Sequence, residues 1–395
     1  MPRKKSNIKT VSTIVKELGN VKGYYSSEVI DSIPANTRFI VGKRANGKSF
    51  DILSKAIKDF YQTGRQTAYV RRWDVDLMAI NTQNLFKSHV CSGVVKALTN
   101  GEWDDVKYWN KAWYLVHTDE ETGEQTKNNN PFMCGLSLNS TEHYKSGLSV
   151  PLCYRMFFDE FIALAGKYLP NEWSSWANMY STIKRNKSDD EFELYMVGNT
   201  INPFNPYFMN MGLMHIEQQK KGTIQVYDYN NGTRIAIELT AEEGPDDPTE
   251  NNKLLHAFDD PTLKMITDGV WEFEKFPVMK DKDIGDDFDI ITKENSLFSF
   301  YVVFNDYILR NIIINDTKGI YCLTHQYKKE LTEEDYRNYL IYQEEPSIRP
   351  NVRDTFIKPR DEIDREIYRM YSCNLFRYSD NFTGNLMKNY LSLYR

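Results

Sequence analysis

Gly42-Lys43-Arg44-Ala45-Asn46-Gly47-Lys48-Ser49 fits the spacing GxxxxGK[ST] without a gap. Residues of these types in this order bind phosphate. The glycines let the backbone wrap closely around an anion, and successive N–H groups with the following helix N-terminus then point at it. Lys48 is placed to reach the β- and γ-phosphates of a nucleotide, and Ser49 to ligate magnesium. Further along, Tyr154-Arg155-Met156-Phe157-Phe158-Asp159-Glu160 is a mostly apolar run ending in two carboxylates. In such a pair Asp159 holds the magnesium through water, while Glu160 orients and polarises the attacking water. An apolar run ending in Asp-Glu is common by chance. It gains force by following a phosphate loop at the distance of an intact domain. A glutamate beside the magnesium aspartate points to hydrolysis rather than transfer to a second substrate, so to an ATPase rather than a small-molecule kinase.

Other polar residues carry two readings each. Asn199 and Thr200 follow an apolar run, Glu193–Val197, where a side chain can touch the γ-phosphate or its water; a turn rich in Asn, Gly and Pro explains them equally. Arg44 is either a solvated loop arginine or a γ-phosphate contact. The basic segment Ser181–Lys187 is either a solvated turn or the source of an arginine finger, Arg185 or Lys184, given in trans to a neighbouring subunit. Lys145, Arg71 and Arg72 could contact nucleotide or DNA, or water alone. Nothing in the pattern singles out the residues that hold adenine.

The elements around these residues read as α/β. From about Ile33 to Pro206 short apolar strands alternate with amphipathic stretches, the pattern of a mainly parallel sheet. Thr37–Val41 is a buried strand stopping at Gly42. A helix follows from Ser49, with Phe50, Leu53, Ile57 and Phe60 at helical spacing and Gly64 as its stop. Thr67–Val70, Tyr154–Phe158 and Glu193–Val197 are further strands. Asp119–Asn130 reads as an exposed turn. Alternating apolar residues on both sides of Asn230-Asn231-Gly232 predict a hairpin over Thr223–Leu239. Glu242–Asn252 is acidic and contains Gly and Pro, as a linker does. Beyond it Ser299–Phe304, Ile308–Ile314 and Gly319–Leu323 form a strand-rich cluster, with helical stretches near Glu333–Tyr342 and Arg360–Tyr371. The expected division is an ATPase domain over 1–222, a lid or linker hairpin over 223–252, and a smaller α+β domain over 253–395.

At 395 residues the chain is too long for one ordinary core. Its net charge of −6 argues against a protein that merely coats nucleic acid. It leaves room for a motor that grips a phosphate backbone with a few basic loops. Five scattered cysteines without CxxC spacing fit reduced thiols rather than disulfides or zinc. The start lacks the apolar run of a signal peptide, and no stretch has the length of a membrane span. A soluble, intracellular protein is expected.

Taken together, the segments GKRANGKS after RFIV, YVRRWD, HYKSG before RMFFDEF, IKRN, and VGNT before Asn-Pro have a familiar order. Over roughly Ile33 to Pro206 the chain resembles the genome-packaging ATPases of small tailed phages of the Salasvirus type, distant relatives of terminase large subunits. The resemblance implies a P-loop NTPase domain of the type with an additional catalytic glutamate, followed by an RNase H-like domain whose nuclease has degenerated. It implies a ring motor, of five subunits by that likeness, at the portal vertex of a procapsid in the host cytoplasm. Such a motor drives double-stranded DNA inward with ATP and Mg2+, often against a packaging RNA. Carried over, Gly42 to Ser49 hold nucleotide, Ser49 and Asp159 hold the metal, Glu160 is the catalytic carboxylate, Arg185 the trans finger, and Lys145 a lysine tied to subunit coupling. In the second domain Asp306 and Asp316 make no convincing metal-binding set, so no nuclease activity is expected. The competing readings are another nucleic-acid-dependent P-loop ATPase such as a helicase, and a P-loop kinase. A helicase would carry further ordered motifs in a second motor domain, and none follows Asn252.

Overall fold

The computed structural model describes residues 11–18, 24–140, 152–163, 168–199, 205–213, 216, 219–241, 276–279, 296–304, 307–317, 319–343, 347–392 and 394. The chain divides into two compact units, Met1–Glu272 and Phe273–Arg395. Lys145, Thr200 and Asp306 lie outside the described residues.

In the first unit eleven described strands form one sheet. They are β1 (Val11–Glu17), β2 (Thr37–Gly42), β3 (Gln66–Arg71), β4 (Asp105–Trp109), β5 (Ala112–Thr118), β6 (Gln125–Lys127), β7 (Met133–Ser137), β8 (Cys153–Asp159), β9 (Glu193–Asn199), β10 (Thr223–Asp228) and β11 (Arg234–Leu239). Their order is β1-β10-β11-β2-β9-β8-β3-β7-β5-β4, with β6 on β5. From β11 to β7 every pairing is parallel. The reason is visible in the strands themselves. Phe39, Ile40 and Val41 are consecutive and fully buried, as are Met156, Phe157 and Phe158. Side chains alternate across a strand, so such runs need both faces covered, the condition under which parallel sheets occur. Phe39, Val41, Met156 and Phe158 join one core, while Ile40 and Phe157 join the other.

Two helices cover these faces. Helix α1 (Lys48–Thr63) puts Ile52, Leu53, Ala56 and Ile57 into one core and stops at Gly64, whose φ of 71° closes the last turn. Helix α2 (Glu172–Lys184) puts Trp176, Met179 and Ile183 into the other. The phosphate-loop strand β2 is separated from the acidic strand β8 by β9, so consecutive strands diverge on either side of β2. In such sheets ligands bind in the crevice outside the carboxyl ends of the strands.

Two expectations need correction. The hairpin over 223–239 forms, with Thr223–Asp228 antiparallel to Arg234–Leu239. Yet it is no separate joint: β11 lies parallel beside β2, inside the nucleotide-loop sheet. Its inward side chains Ile235 and Ile237 supply the core that the edge of β2 needs. Likewise, the first unit does not end at 222, because β10 and β11 belong to its sheet; the expected linker, 242–252, lies outside the described residues.

The second unit has a six-stranded sheet of β12 (Ser296–Phe304), β13 (Tyr307–Asp316), β14 (Gly319–Gln326), β15 (Leu340–Gln343), β16 (Val352–Arg353) and β17 (Phe376–Tyr378), in the order β16-β15-β12-β13-β14-β17. An antiparallel meander, β12 to β14, is joined by β15 and β16 in parallel on its other side. That is the order of an RNase H-like sheet, here with β17 added. Helices α3 (Glu362–Ser372) and α4 (Asn381–Ser392) complete it. The stretch expected as a helix to Tyr342 is helical only over Glu333–Asn338; Leu340–Gln343 is a strand, because Leu340, Ile341 and Tyr342 bury themselves beside β12.

Candidate functional site

The carboxyl ends of β2, β8, β9 and β3 meet at one place. Register puts Gly42 beside Asn199 and Asp159 beside Val197. There a cavity of about 640 Å³ is lined by Arg44 to Phe50, Asp159, Glu160 and Val197 to Asn199, with Tyr24, Ser88 and Ser92. That volume suits a nucleotide-sized ligand. Asn199 lines the cavity at the end of β9, and Arg44 lines it with its side chain exposed. Lys43 leads into the loop at the end of β2.

The loop is held from below. Ala45 and Gly47 have φ of 60° and 97°, the left-handed conformations that fold the backbone around a centre. Tyr25 donates its N–H to the Asn46 carbonyl at 2.9 Å. The Asn46 amide donates to Thr240 Oγ1 at 3.1 Å, and that hydroxyl lies only 1.8 Å from where a Cβ on Gly42 would stand. Gly42 is therefore required by the close approach of the residue that follows β11.

Lys48 is buried. Its ammonium donates to the carbonyls of Lys43 at 2.5 Å and Gly42 at 3.3 Å and to Asn46 Oδ1 at 3.0 Å. Burial pulls it down to about 7, against the attraction of Asp159. A polyphosphate beside it would reverse that shift and fix the charge. Burial also raises Glu238, on β11, to about 7; its carboxylate accepts the Tyr25 hydroxyl at 2.9 Å.

Ser49 Oγ donates to Asp159 Oδ1 at 2.8 Å, and the Tyr69 hydroxyl donates to Oδ2 at 3.2 Å. Burial pushes the Asp159 carboxyl up, opposed by Arg71 at 3.6 Å. A hydroxyl and a carboxylate, both hard oxygen donors, side by side at a phosphate loop, fit a magnesium ion that also takes phosphate oxygens.

Glu160 has φ 58° and an exposed side chain. A non-glycine residue in this conformation costs about 1–3 kcal/mol and persists where its surroundings enforce it. Arg72 enforces it. Its guanidinium donates to the carbonyls of Glu160 at 3.2 Å and Phe161 at 2.6 Å, and to both oxygens of Glu172 at 2.9–3.0 Å. Glu172, fully buried, also accepts the Tyr207 hydroxyl at 2.6 Å and the Leu169 N–H at 2.8 Å. Arg71 meets the Glu160 carboxylate at 2.8 Å. Sequence reading left these two arginines open; one holds the acid's side chain and the other its backbone.

Arg185 is elsewhere. Helix α2 starts at Glu172, behind Glu160, and runs for 13 residues, about 20 Å. Beyond its end Lys187 lies over the Tyr154 ring at the start of β8, and the Asn36 amide bonds the Asp189 carbonyl just before β2. Arg185 is thus exposed at the rim where the strands begin, opposite its own cleft. Lys184 is occupied, ion-paired to Asp189. Asp316, in the second unit, accepts the Tyr321 hydroxyl at 2.9 Å.

No family model matches the sequence. Over 178 residues the chain is 26% identical to the DNA packaging protein of Bacillus phage B103, covering 45% of this chain and 48% of that one. Over 193 residues it is 24% identical to the DNA packaging protein of Bacillus phage phi29, covering 48% and 51%. The chain spans about half the length of the curated relatives it matches. Among solved structures, a chain of the phi28 gp11 DNA packaging motor superposes with a TM-score of 0.58 at 15% identity, over 94% of this chain and 97% of that one. A chain of the bacteriophage phi29 genome packaging motor assembly gives 0.58 at 18%, over 94% and 99%. The chain shares their fold. Among the described residues no helix is long and apolar enough to cross a membrane, and no group of three His, Cys, Asp or Glu side chains could hold a metal ion.

Proposed function

We propose that this chain is the ATPase of a viral DNA-packaging motor, which hydrolyses ATP in the cleft at Gly42–Ser49 and uses the cycle to move double-stranded DNA into a procapsid. The observation that carries the ATPase reading is the convergence of Lys48, Ser49, Asp159 and Glu160 on one cavity, with Ser49 bonded to Asp159. The likeness to packaging proteins supplies the DNA and the procapsid.

In this reading the backbone of residues 43–48 holds the phosphates and Lys48 gives its charge to the β- and γ-groups. Ser49 and Asp159 would hold Mg2+, which would supply positive charge beside the phosphates. Glu160, exposed to the cavity and fixed at its backbone by Arg72, orients the water and takes its proton. Asn199 contacts the γ-phosphate or that water. Arg44 reaches the γ-phosphate from the loop. Arg185 serves the cleft of a neighbouring copy, because it lies too far from its own. The motor is then a homo-oligomeric ring, pentameric by the resemblance, seated on the portal in the host cytoplasm, with a packaging RNA as a further partner. Lys145 couples subunits in the same picture. In this reading the second unit has no nuclease activity; among the described residues neither β12 nor β15, the paired inner strands, carries an Asp or Glu, which supports it.

Subunit mixing tests this reading. Glu160→Gln and Arg185→Ala proteins should each lack DNA-stimulated ATPase. Mixed, they should regain part of it, since some clefts then pair an intact Glu160 with a neighbour's intact Arg185. Full activity of Arg185→Ala alone would remove the trans finger. Full activity of Glu160→Gln would remove Glu160 as the catalytic carboxylate, and absence of ATP hydrolysis by the parent protein would remove the ATPase assignment itself.

A further inference from the structure

The cavity has more wall than phosphates and metal need. Asp159, Glu160 and Asn199 mark where the terminal phosphate lies. Lys48 and Ser49 mark the phosphates behind it. What remains for the nucleoside is Tyr24, Phe50, Ser88 and Ser92.

Tyr24 and Tyr25 are adjacent and do opposite things. Tyr25 is foundation: its N–H is bonded to the loop and its hydroxyl to buried Glu238. Tyr24 is 71% exposed and lies next to the loop, its Cβ 3.3 Å from where a Cβ on Gly47 would be. A large aromatic face therefore stands at the cavity, beside the loop. Across the loop, His89 stacks on Phe50 with ring centroids 3.8 Å apart and bonds the Phe50 carbonyl at 3.0 Å. This fixes the short helix Lys87–Cys91 against α1 and brings Ser88 to the cavity. The Ser92 hydroxyl is spent on the Ser88 carbonyl at 2.7 Å, whereas among the described residues no hydrogen bond is made by the Ser88 hydroxyl.

The geometry points to Tyr24 as the residue that stacks on the base of the bound nucleotide, with the Ser88 hydroxyl bonding the nucleoside. Every base presents a π-face, and an aromatic side chain beside it gives affinity without reading its edge. Tyr24 therefore sets how tightly a nucleoside triphosphate binds, while the loop binds the phosphates alone. This rests on the nucleotide reading of the cleft.

The test compares two probes, ATP and inorganic tripolyphosphate, by calorimetry on the full chain. Tyr24→Ala should weaken ATP about 5- to 150-fold, the range of one base–aromatic stack. It should leave tripolyphosphate unchanged, and Tyr24→Phe should behave as the parent. Ser88→Ala should weaken ATP by a smaller factor, again without effect on tripolyphosphate. Lys48→Ala should weaken both probes. Equal loss of both probes in Tyr24→Ala would make Tyr24 a support of the loop and overturn the stacking role; so would no loss of either. Failure of the parent protein to bind either probe would instead overturn the nucleotide reading itself.

Discussion

Replacing Arg72 by Ala should be among the most damaging single changes in the first unit. The Arg72 and Glu172 side chains are 8% and 0% exposed. Removing the guanidinium strips three charge-assisted bonds from a carboxylate with no access to water, leaving it only Tyr207 and Leu169. Breaking one partner of a buried pair costs about 3–5 kcal/mol. The carbonyls of Glu160 and Phe161 lose a donor as well. Urea unfolding, followed by the fluorescence of tryptophans that include Trp173 and Trp176 beside Tyr207, should show the unfolding free energy of the first unit falling by that amount, through a lower midpoint at unchanged slope. A paired replacement, Arg72→Met with Glu172→Leu, should recover most of the stability, because an apolar pair of similar size has no charge to desolvate. It should not recover turnover: ATP should still bind, but Glu160 has lost its clamp. A single variant within about 1 kcal/mol of the parent would refute the energetic reasoning. A stable double variant with parental turnover would refute the positioning role.

Three further outcomes follow from the same cleft. Gly42→Ala should cost about 1–3 kcal/mol by overpacking against Thr240, and Thr240→Gly in the same chain should restore the melting temperature. Glu238 has its carboxyl raised from 4.5 to about 7, so the native state keeps a proton that the unfolded chain has released. Its contribution is fully present below pH 4.5 and is lost as pH passes 7; Glu238→Gln should flatten that decline in urea midpoints measured from pH 5 to 8. Glu160→Gln should keep ATP affinity while lowering turnover about 100- to 10,000-fold, in contrast to Lys48→Ala, which should lose binding itself.

The phosphate loop was legible because its demands are local: glycines, lysine and serine act at fixed spacing in one turn. The strand before it and the helix after it were legible for the same reason, as runs of one periodicity. The acids needed a second segment but still advertised themselves at the end of an apolar run. Arg72 was not legible. Its partner Glu172 is a hundred residues away, and nothing in Arg-Arg says which arginine faces inward. The hairpin was seen, but its place beside β2 was not, since parallel pairing leaves no mark on a turn. Leu340–Gln343 reads as helix or strand alike because its short apolar run fits either period; only β12 alongside decides it.

Helix α2 lies against the candidate cleft at one end and reaches the surface at the other. Its first residue braces the turn that carries Glu160, and the residue capping its last turn is exposed Arg185. An α-helix packed along one face is stiff over such a length. On the reading proposed above, a contact made near that exposed end would bear on the same rigid element that braces Glu160. One helix thus joins an exposed rim of the first unit to the brace beneath the candidate cleft.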